Sequence, residues 1–276
     1  MLLTGKPVRQ PWFLVRNVEA APKCSNCRLW TRATSSSSNN NNTGIIALSQ
    51  SQSPKAKPTV KKRTRYRKLY PGESTGIAEE MRFVAMKLRN DTNSQPQPDS
   101  DTWQPSIEGF LRYLVDSHLI FTTLQRIVDE SDNVSYAYMR KTGLERSEGL
   151  SKDLEWLKEE GNEIPNPSTP GLTYAKYLQE LAETSAPLFL SHFYNIYFSH
   201  IAAGQVIAKK VSGKLLEGKE LEFYRWEGDV PELLKGVRDK LNMLSEHWSR
   251  DDKNRCLKET TKAFRYMGQI VRLIIS

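Results

Sequence analysis

The chain has 276 residues and a formal net charge of +8, and this length suits one large domain or two small ones. Residues 1–69 contain 14 Lys or Arg and a single acid, Glu19, so residues 70–276 have a net charge of −5. Because the positive charge lies in residues 1–69, which we call the leader, the high pI does not indicate a nucleic-acid-binding domain. No apolar stretch reaches the roughly 18 residues that a membrane-spanning helix needs.

The number and position of the three cysteines exclude a disulfide-stabilised fold and a Cys-based zinc domain after the leader. Cys24 and Cys27 lie in the basic leader, which leaves only Cys256 in the rest of the chain. One cysteine can form neither a disulfide framework nor a Cys-based zinc site, and a reduced compartment fits this usage.

The leader has the composition of an organelle transit peptide, being basic, nearly free of acids and rich in hydroxyl and amide residues. We predict a disordered transit peptide over 1–60, a basic segment over 61–75 and a helical domain over 76–276. The Ser and Thr content of the transit peptide favours targeting to the chloroplast, and hence to the stroma, over targeting to the mitochondrion. An ordinary disordered tail is the alternative for the leader, and a nuclear-targeting or polyanion-binding patch is the alternative for 61–75.

The first helical pattern covers Gly76–Asn90, where apolar residues recur at the spacing of a helix stripe. Arg82 and Arg89 are seven residues apart and therefore lie nearly above one another at the edge of that stripe. The polar segment 90–101, with two prolines, predicts a flexible loop.

Nearly every later segment has helical period and length, and Pro or Gly occurs at the joins. We therefore predict a compact all-α, multi-helix bundle, without an alternating pattern long enough for a strand. The predicted helices are Ser106–Asp129, Leu144–Glu160, Tyr174–Glu183, Pro187–Leu216, Glu220–Trp226, Pro231–His247 and Asp251–Ile275.

The segment Leu188–Lys209 is apolar almost all round, which predicts a buried helix. Its middle contains small residues that end in Gly204, and a glycine inside a helix costs about 1 kcal/mol against alanine. Close approach of another group to the backbone is the usual compensation. That group is either a neighbouring helix or a flat ligand, and the segment alone does not choose.

Four histidines were considered as metal ligands. His192 and His200 are eight residues apart on one side of the central helix, but no third ligand accompanies them. We expect both to be buried with satisfied hydrogen bonds, and we expect His118 and His247 to be structural. The sequence assigns no metal site.

Several motifs together resemble plant, chloroplast heme oxygenases over residues 70–276. They are YPGES, GIAEEMRFVAM, GFLRYLVDS, TGLERSE, HFYNIYFSH, GKELEFYRWEG and KAFRYMGQIVRLI. The resemblance implies a heme-oxygenase-like bundle in which the small-residue helix covers one face of a porphyrin. It also implies that Arg89 occupies the position of the iron-binding histidine, as in a branch of the family that lacks this ligand. Arg has no acceptor lone pair, so it cannot bind iron.

The same resemblance implies a set of tetrapyrrole-binding residues. Cations and a phenol at the pocket mouth hold the propionates of the ligand, and Ala203 replaces the first glycine of a pair on the distal face. His200 lies where non-plant relatives carry an aspartate that organises distal water. The implied binding residues are Arg82, Tyr194, His200, Ala203, Gly204, Lys235 and Arg238.

These features predict a catalytically silent relative with no catalytic residue of its own. It binds a tetrapyrrole such as protoporphyrin IX, or weakly held heme, without iron ligation, and it modulates tetrapyrrole and phytochrome-chromophore metabolism. One alternative is a weakly active heme oxygenase that converts heme to biliverdin, CO and Fe²⁺ with electrons from ferredoxin. The other is a ligand-free interaction module. A monomer without a nucleic-acid partner is expected.

Overall fold

In a computed structural model, the described residues are 76–93 and 104–275, with only the backbone described for 89–93. The predicted all-α class is confirmed, because these ranges form eight α-helices and no strand. They are α1 (Ile77–Asn93), α2 (Ile107–Glu130), α3 (Val134–Ala137), α4 (Ser147–Glu159), α5 (Thr169–Thr184), α6 (Ala186–Leu215), α7 (Val230–Ser245) and α8 (Arg250–Arg272). None of the described helices is both long and apolar enough to cross a membrane. The predicted segments 1–60 and 61–75 lie outside the described residues.

Three predicted segments need correction, and one helix was not predicted. Helix α1 continues to Asn93, so residues 90–93 are helical, and most of the predicted loop lies outside the described residues. The segment Glu222–Tyr224 is a single 3-10 turn and not an α-helix. His247 lies in the turn after α7, and α3 was not predicted because four residues are too few to show a helical period.

Capping residues and prolines fix where several helices begin. The Ser106 hydroxyl accepts a hydrogen bond from the Gly109 N–H at 3.0 Å at the start of α2, and Ser249 does the same for Asp252 at the start of α8. Proline occupies the first turn of α5, α6 and α7, where its missing N–H removes no helical hydrogen bond. Local sequence therefore determines most helix starts.

Helix α6 is the central element of the bundle, as its apolar composition predicts. It packs against α5, α7 and α8 and contacts the 3-10 turn. Helix α1 packs on α7 and α8, and the Asn242 side chain on α7 accepts a hydrogen bond from the Ala78 N–H at 3.0 Å. The buried Met81 of α1 reaches α6, where its sulfur accepts a hydrogen bond from the Ser191 hydroxyl at 3.3 Å. These contacts place α1, α6 and α7 side by side.

Candidate functional site

The small-residue segment of α6 is buried against an aromatic ring of the protein itself. A Cβ atom added to Gly204 would lie 3.2 Å from Cδ1 of Tyr224 and 3.3 Å from Nδ1 of His200. Both distances are shorter than ordinary van der Waals contacts, so this position favours glycine. In this structure, Tyr224 makes the close approach that Gly204 permits. The group packed beside this glycine is therefore part of the protein.

A cavity lies beside this segment and has a volume of about 20 Å³. A single water molecule needs roughly 10–15 Å³ of such space, so the cavity has room for one water. Its walls include polar groups of α2 and α6 as well as aromatic rings. Among the lining residues are Tyr113, Ser117, Ser199, His200, Ala203, Gly204 and Phe223.

His200 is held in one orientation above this cavity. Its Nε2 atom lies 3.0 Å from the carbonyl oxygen of Phe223, and the two rings stack with centroids 4.1 Å apart. Burial lowers the pKa of His200 to about 3, so the imidazole is neutral at pH 7. Because a carbonyl only accepts hydrogen bonds, Nε2 carries the proton and Nδ1, on the side of Gly204, is the acceptor.

Asp153 on α4 positions the turn that carries Phe223. Its carboxylate accepts hydrogen bonds from the backbone N–H groups of Glu222 at 2.8 Å and Phe223 at 2.7 Å. Burial raises the pKa of Asp153 to about 6, although these two backbone donors oppose the shift. Asp153 was not predicted from the sequence, because its partners are about 70 residues away and no local motif signals the contact.

A second group of predicted residues meets at the other end of the segment. The Tyr194 hydroxyl is buried and forms no hydrogen bond of normal geometry with a described residue. Burial raises the pKa of Tyr194, while Arg238 and, to a smaller extent, Arg82 lower it by their proximity. Arg82 also pairs with Glu79 at 3.4 Å. Side chains from α1, α6 and α7 thus form a cluster, the Tyr194 cluster, which consists of Arg82, Tyr194 and Arg238.

Two further buried polar atoms lack a hydrogen bond of normal geometry with a described residue. They are the hydroxyl of Tyr224 and the indole nitrogen of Trp226. Both rings adjoin His200, with centroid separations of 5.5 and 5.3 Å. Unsatisfied buried polar atoms are uncommon, and ordered water or a ligand usually accounts for them. Such atoms therefore occur in both groups of predicted site residues.

Two predicted residues stand apart from these groups. Lys235 is exposed, and its ammonium pairs with Glu232 at 3.1 Å, while no described contact joins it to Tyr194. Arg89 lies in α1, and its side chain is outside the described residues.

His192 has the satisfied environment that the sequence analysis expects. Its Nδ1 lies 2.9 Å from the Tyr174 hydroxyl and its Nε2 lies 3.0 Å from the Glu259 carboxylate. Tyr177 and Lys262 also donate to Glu259, at 2.8 and 2.7 Å. Burial alone raises the pKa of Glu259, but the hydrogen bonds from His192, Lys262 and Tyr177 lower it to about 2. His192 is therefore fully engaged within the core.

The other two histidines show no ligand arrangement in the described ranges. The Nε2 atom of His118 lies 3.0 Å from the Ser151 hydroxyl, and His247 is exposed. The described residues contain no group of three or more His, Cys, Asp or Glu that is placed to hold a metal ion.

Comparison with known proteins identifies relatives of the chain. The heme oxygenase family model matches residues 104–273. The chain is 63% identical over 243 residues to probable inactive heme oxygenase 2, chloroplastic, of Arabidopsis thaliana, covering 79% of this chain and 81% of the relative. It is 51% identical over 219 residues to heme oxygenase 1, chloroplastic, of the same plant, covering 76% and 78%.

Among solved structures, the heme oxygenase of Leptospira interrogans has a similar fold. The TM-score is 0.59 at 20% sequence identity, and the match covers 71% of this chain and 98% of that one. At this identity the similarity concerns the fold alone.

Proposed function

The chain belongs to the heme oxygenase family, and from this membership we propose that it binds a tetrapyrrole without oxidising it. From the resemblance of Gly76–Asn90 to the first helix of the family, we place Arg89 at the position of the iron-binding histidine. A guanidinium has no lone pair for iron, and a relative at 63% identity is named probable inactive. In active members the bound heme iron supplies the oxygen chemistry; in this chain we assign the protein only binding and orientation.

The Tyr194 cluster is the observation that carries this proposal. A buried hydroxyl without a hydrogen bond of normal geometry lies near Arg238 and Arg82. Because Arg82 pairs with Glu79, the phenol and the Arg238 guanidinium are the groups that we assign to an anion. Arginine pairs strongly with carboxylates, and a tetrapyrrole carries two propionates. The cluster therefore suits the acidic edge of such a ligand, whether or not the ring contains iron. We propose protoporphyrin IX as the ligand, since it needs no axial ligand.

The second candidate function is an interaction module with a closed pocket. The cavity beside Gly204 has a volume of only about 20 Å³, and the Tyr224 ring lies against that glycine. A porphyrin ring over this segment would have to displace the 3-10 turn. If the turn does not move, the fold remains but the ligand is excluded.

Residual oxygenase activity is the least supported alternative. His192 uses both ring nitrogens within the core, and His200 uses Nε2 on Phe223. Only Nδ1 of His200 remains as an imidazole acceptor among the site residues. Activity would require reduced ferredoxin as the electron donor in a plastid. Both Arabidopsis relatives are named chloroplastic, and we propose a stromal protein that modulates phytochrome-chromophore supply.

Titration of the full chain with protoporphyrin IX and with hemin, followed by porphyrin absorbance and tryptophan fluorescence, tests the proposal. We expect saturable binding of both ligands, with weaker binding in Arg238→Gln and no change in Arg126→Gln, an exposed cation on α2. Arg89→His should add a sharp Soret band with hemin. Absence of binding in all four proteins would favour the interaction module, and biliverdin formed with reduced ferredoxin would establish the active alternative.

A further inference from the structure

A groove on the outer side of α6 is far larger than the cavity beside Gly204. Its volume is about 690 Å³, which lies within the roughly 300–1,000 Å³ typical of small-molecule sites. One wall is the C-terminal part of α6 and the other is the segment that follows it, up to Arg225. The ring of Tyr224 lines this groove and separates it from Gly204, which Tyr224 also contacts.

A left-handed backbone turn at the end of α6 precedes most of the second wall. Glu217 and Gly218, just after α6, have φ angles of 49° and 90°, and the Gly218 N–H donates to the Ser212 carbonyl at 2.9 Å. A positive φ is uncommon for a residue other than glycine and stores strain, which persists only where the surroundings enforce it. This turn sends the chain back beside α6 and so creates the groove.

The floor of the groove is apolar and its mouth is open. Buried side chains of Val211, Leu216, Leu221 and Tyr224 line it. A Cβ atom added to Gly213, at the edge of the groove, would have no atom within 4 Å. These four side chains are at most 7% exposed, so a ligand would gain mainly van der Waals contact with them and would remove little further apolar area from water.

The rim of the groove is mainly cationic. Lys209, Lys219 and Arg225 line it together with one acid, Glu220. Arg225 pairs with Glu222 at 2.7 Å, whereas Lys209 and Lys219 form no ion pair within the described part of the chain. The Lys219 ammonium instead lies over the Trp156 ring, 5.1 Å from its centroid. Two lysines are thus available to an anionic group above an apolar surface.

We propose that this groove is a binding site for an amphipathic organic anion. The apolar body of the ligand packs on Leu221 and Tyr224, and its carboxylate or sulfonate pairs with Lys209 and Lys219. The site is separate from the Tyr194 cluster.

The fluorescent anion 1-anilinonaphthalene-8-sulfonate, added to the full chain, is the probe. We expect saturable binding that Lys209→Gln/Lys219→Gln weakens about tenfold, since two charge-assisted contacts are lost. The matched control Lys176→Gln/Lys258→Gln changes exposed lysines on α5 and α8 and should leave the affinity unchanged. The uncharged analogue N-phenyl-1-naphthylamine should bind more weakly than the anion.

A second pair of variants tests the location by filling space. Gly213→Trp should block the groove, because a Cβ atom added at Gly213 has no neighbour within 4 Å. Gly236→Trp on α7 is its control, because that glycine also has no neighbour within 4 Å of an added Cβ. The proposal is overturned if no saturable binding occurs, or if Gly213→Trp binds the probe as the parent does. Loss of binding in Arg238→Gln alone would place the probe at the Tyr194 cluster and would also overturn it.

Discussion

The Nε2 atom of His200 lies 3.0 Å from the carbonyl oxygen of Phe223, and this contact fixes the tautomer of the histidine, while burial keeps the ring neutral. Phe223 lies in the 3-10 turn, whose N–H groups are held by Asp153 on α4. The state of a residue on α6 therefore depends on a carboxylate of another helix. Because the same turn carries Tyr224 against Gly204, it also determines how much space lies beside the small-residue segment.

Replacing His200 with Gln should reduce the loss of stability in mild acid. The pKa of His200 is about 3 in the folded chain, against an ordinary value of 6.5. Between these two pH values only the unfolded chain binds the proton. The parent therefore loses up to about 1.4 kcal/mol per pH unit from this residue as the pH falls below 6.5. Urea unfolding at pH 7 and pH 5 measures the difference. His247→Gln, which changes an exposed histidine, should behave as the parent, and an equal pH dependence in His200→Gln would contradict the buried neutral state.

Asp153→Asn should destabilise the folded chain by about 1–3 kcal/mol at pH 7. The two carboxylate oxygens each accept from one backbone N–H, whereas a carboxamide has only one oxygen, and its NH₂ group would face the other N–H donor. Denaturant unfolding measures this loss, with the exposed Asp239→Asn as control. Nitrogen NMR of the histidines should also show a changed His200 ring, while His192 on the same helix keeps its signals. Unchanged stability together with an unchanged His200 spectrum would show that the turn does not need Asp153.

Glu259→Gln should cost about 1.5–3 kcal/mol at pH 7, the range for hydrogen bonds to a charged group. The Glu259 pKa is about 2 in the folded chain against an ordinary value of 4.5, so this stabilisation is complete above pH 4.5 and is lost as the pH falls toward 2. The variant should therefore show a smaller decline in stability over that interval. Tyr177→Phe removes one hydrogen bond and should fall between parent and variant; a variant as stable as the parent would exclude a stabilising network.

Ala203→Gly tests whether the Ala203 methyl group crowds the site. The substitution should cost about 1 kcal/mol through helix propensity and should increase the affinity for protoporphyrin IX, because Ala203 lines the cavity. Ala202→Gly is the matched control, with the same propensity cost at a position that does not line the cavity. Equal porphyrin affinities in the two variants would mean that the methyl group does not limit binding.

Local sequence determined where most helices form and that Arg89 cannot bind iron. Apolar period, serine caps and first-turn prolines act within a few residues, so α2, α6 and α8 were predicted close to their observed bounds. A guanidinium lacks a lone pair in any fold, so residue type alone excludes Arg89 as an iron ligand. The transit peptide predicted over 1–60 lies outside the described residues.

Tertiary structure decided which side chains meet. The Tyr194 cluster joins three helices, the tautomer of His200 depends on Phe223 through a turn held by Asp153, and His192 is satisfied by Glu259, 67 residues away. No periodic pattern contains these pairs, because hydrogen bonds and burial depend on distances that only chain packing sets. The same packing placed Tyr224 against Gly204. Only the fold therefore determined that the group beside this glycine is an aromatic side chain of the protein.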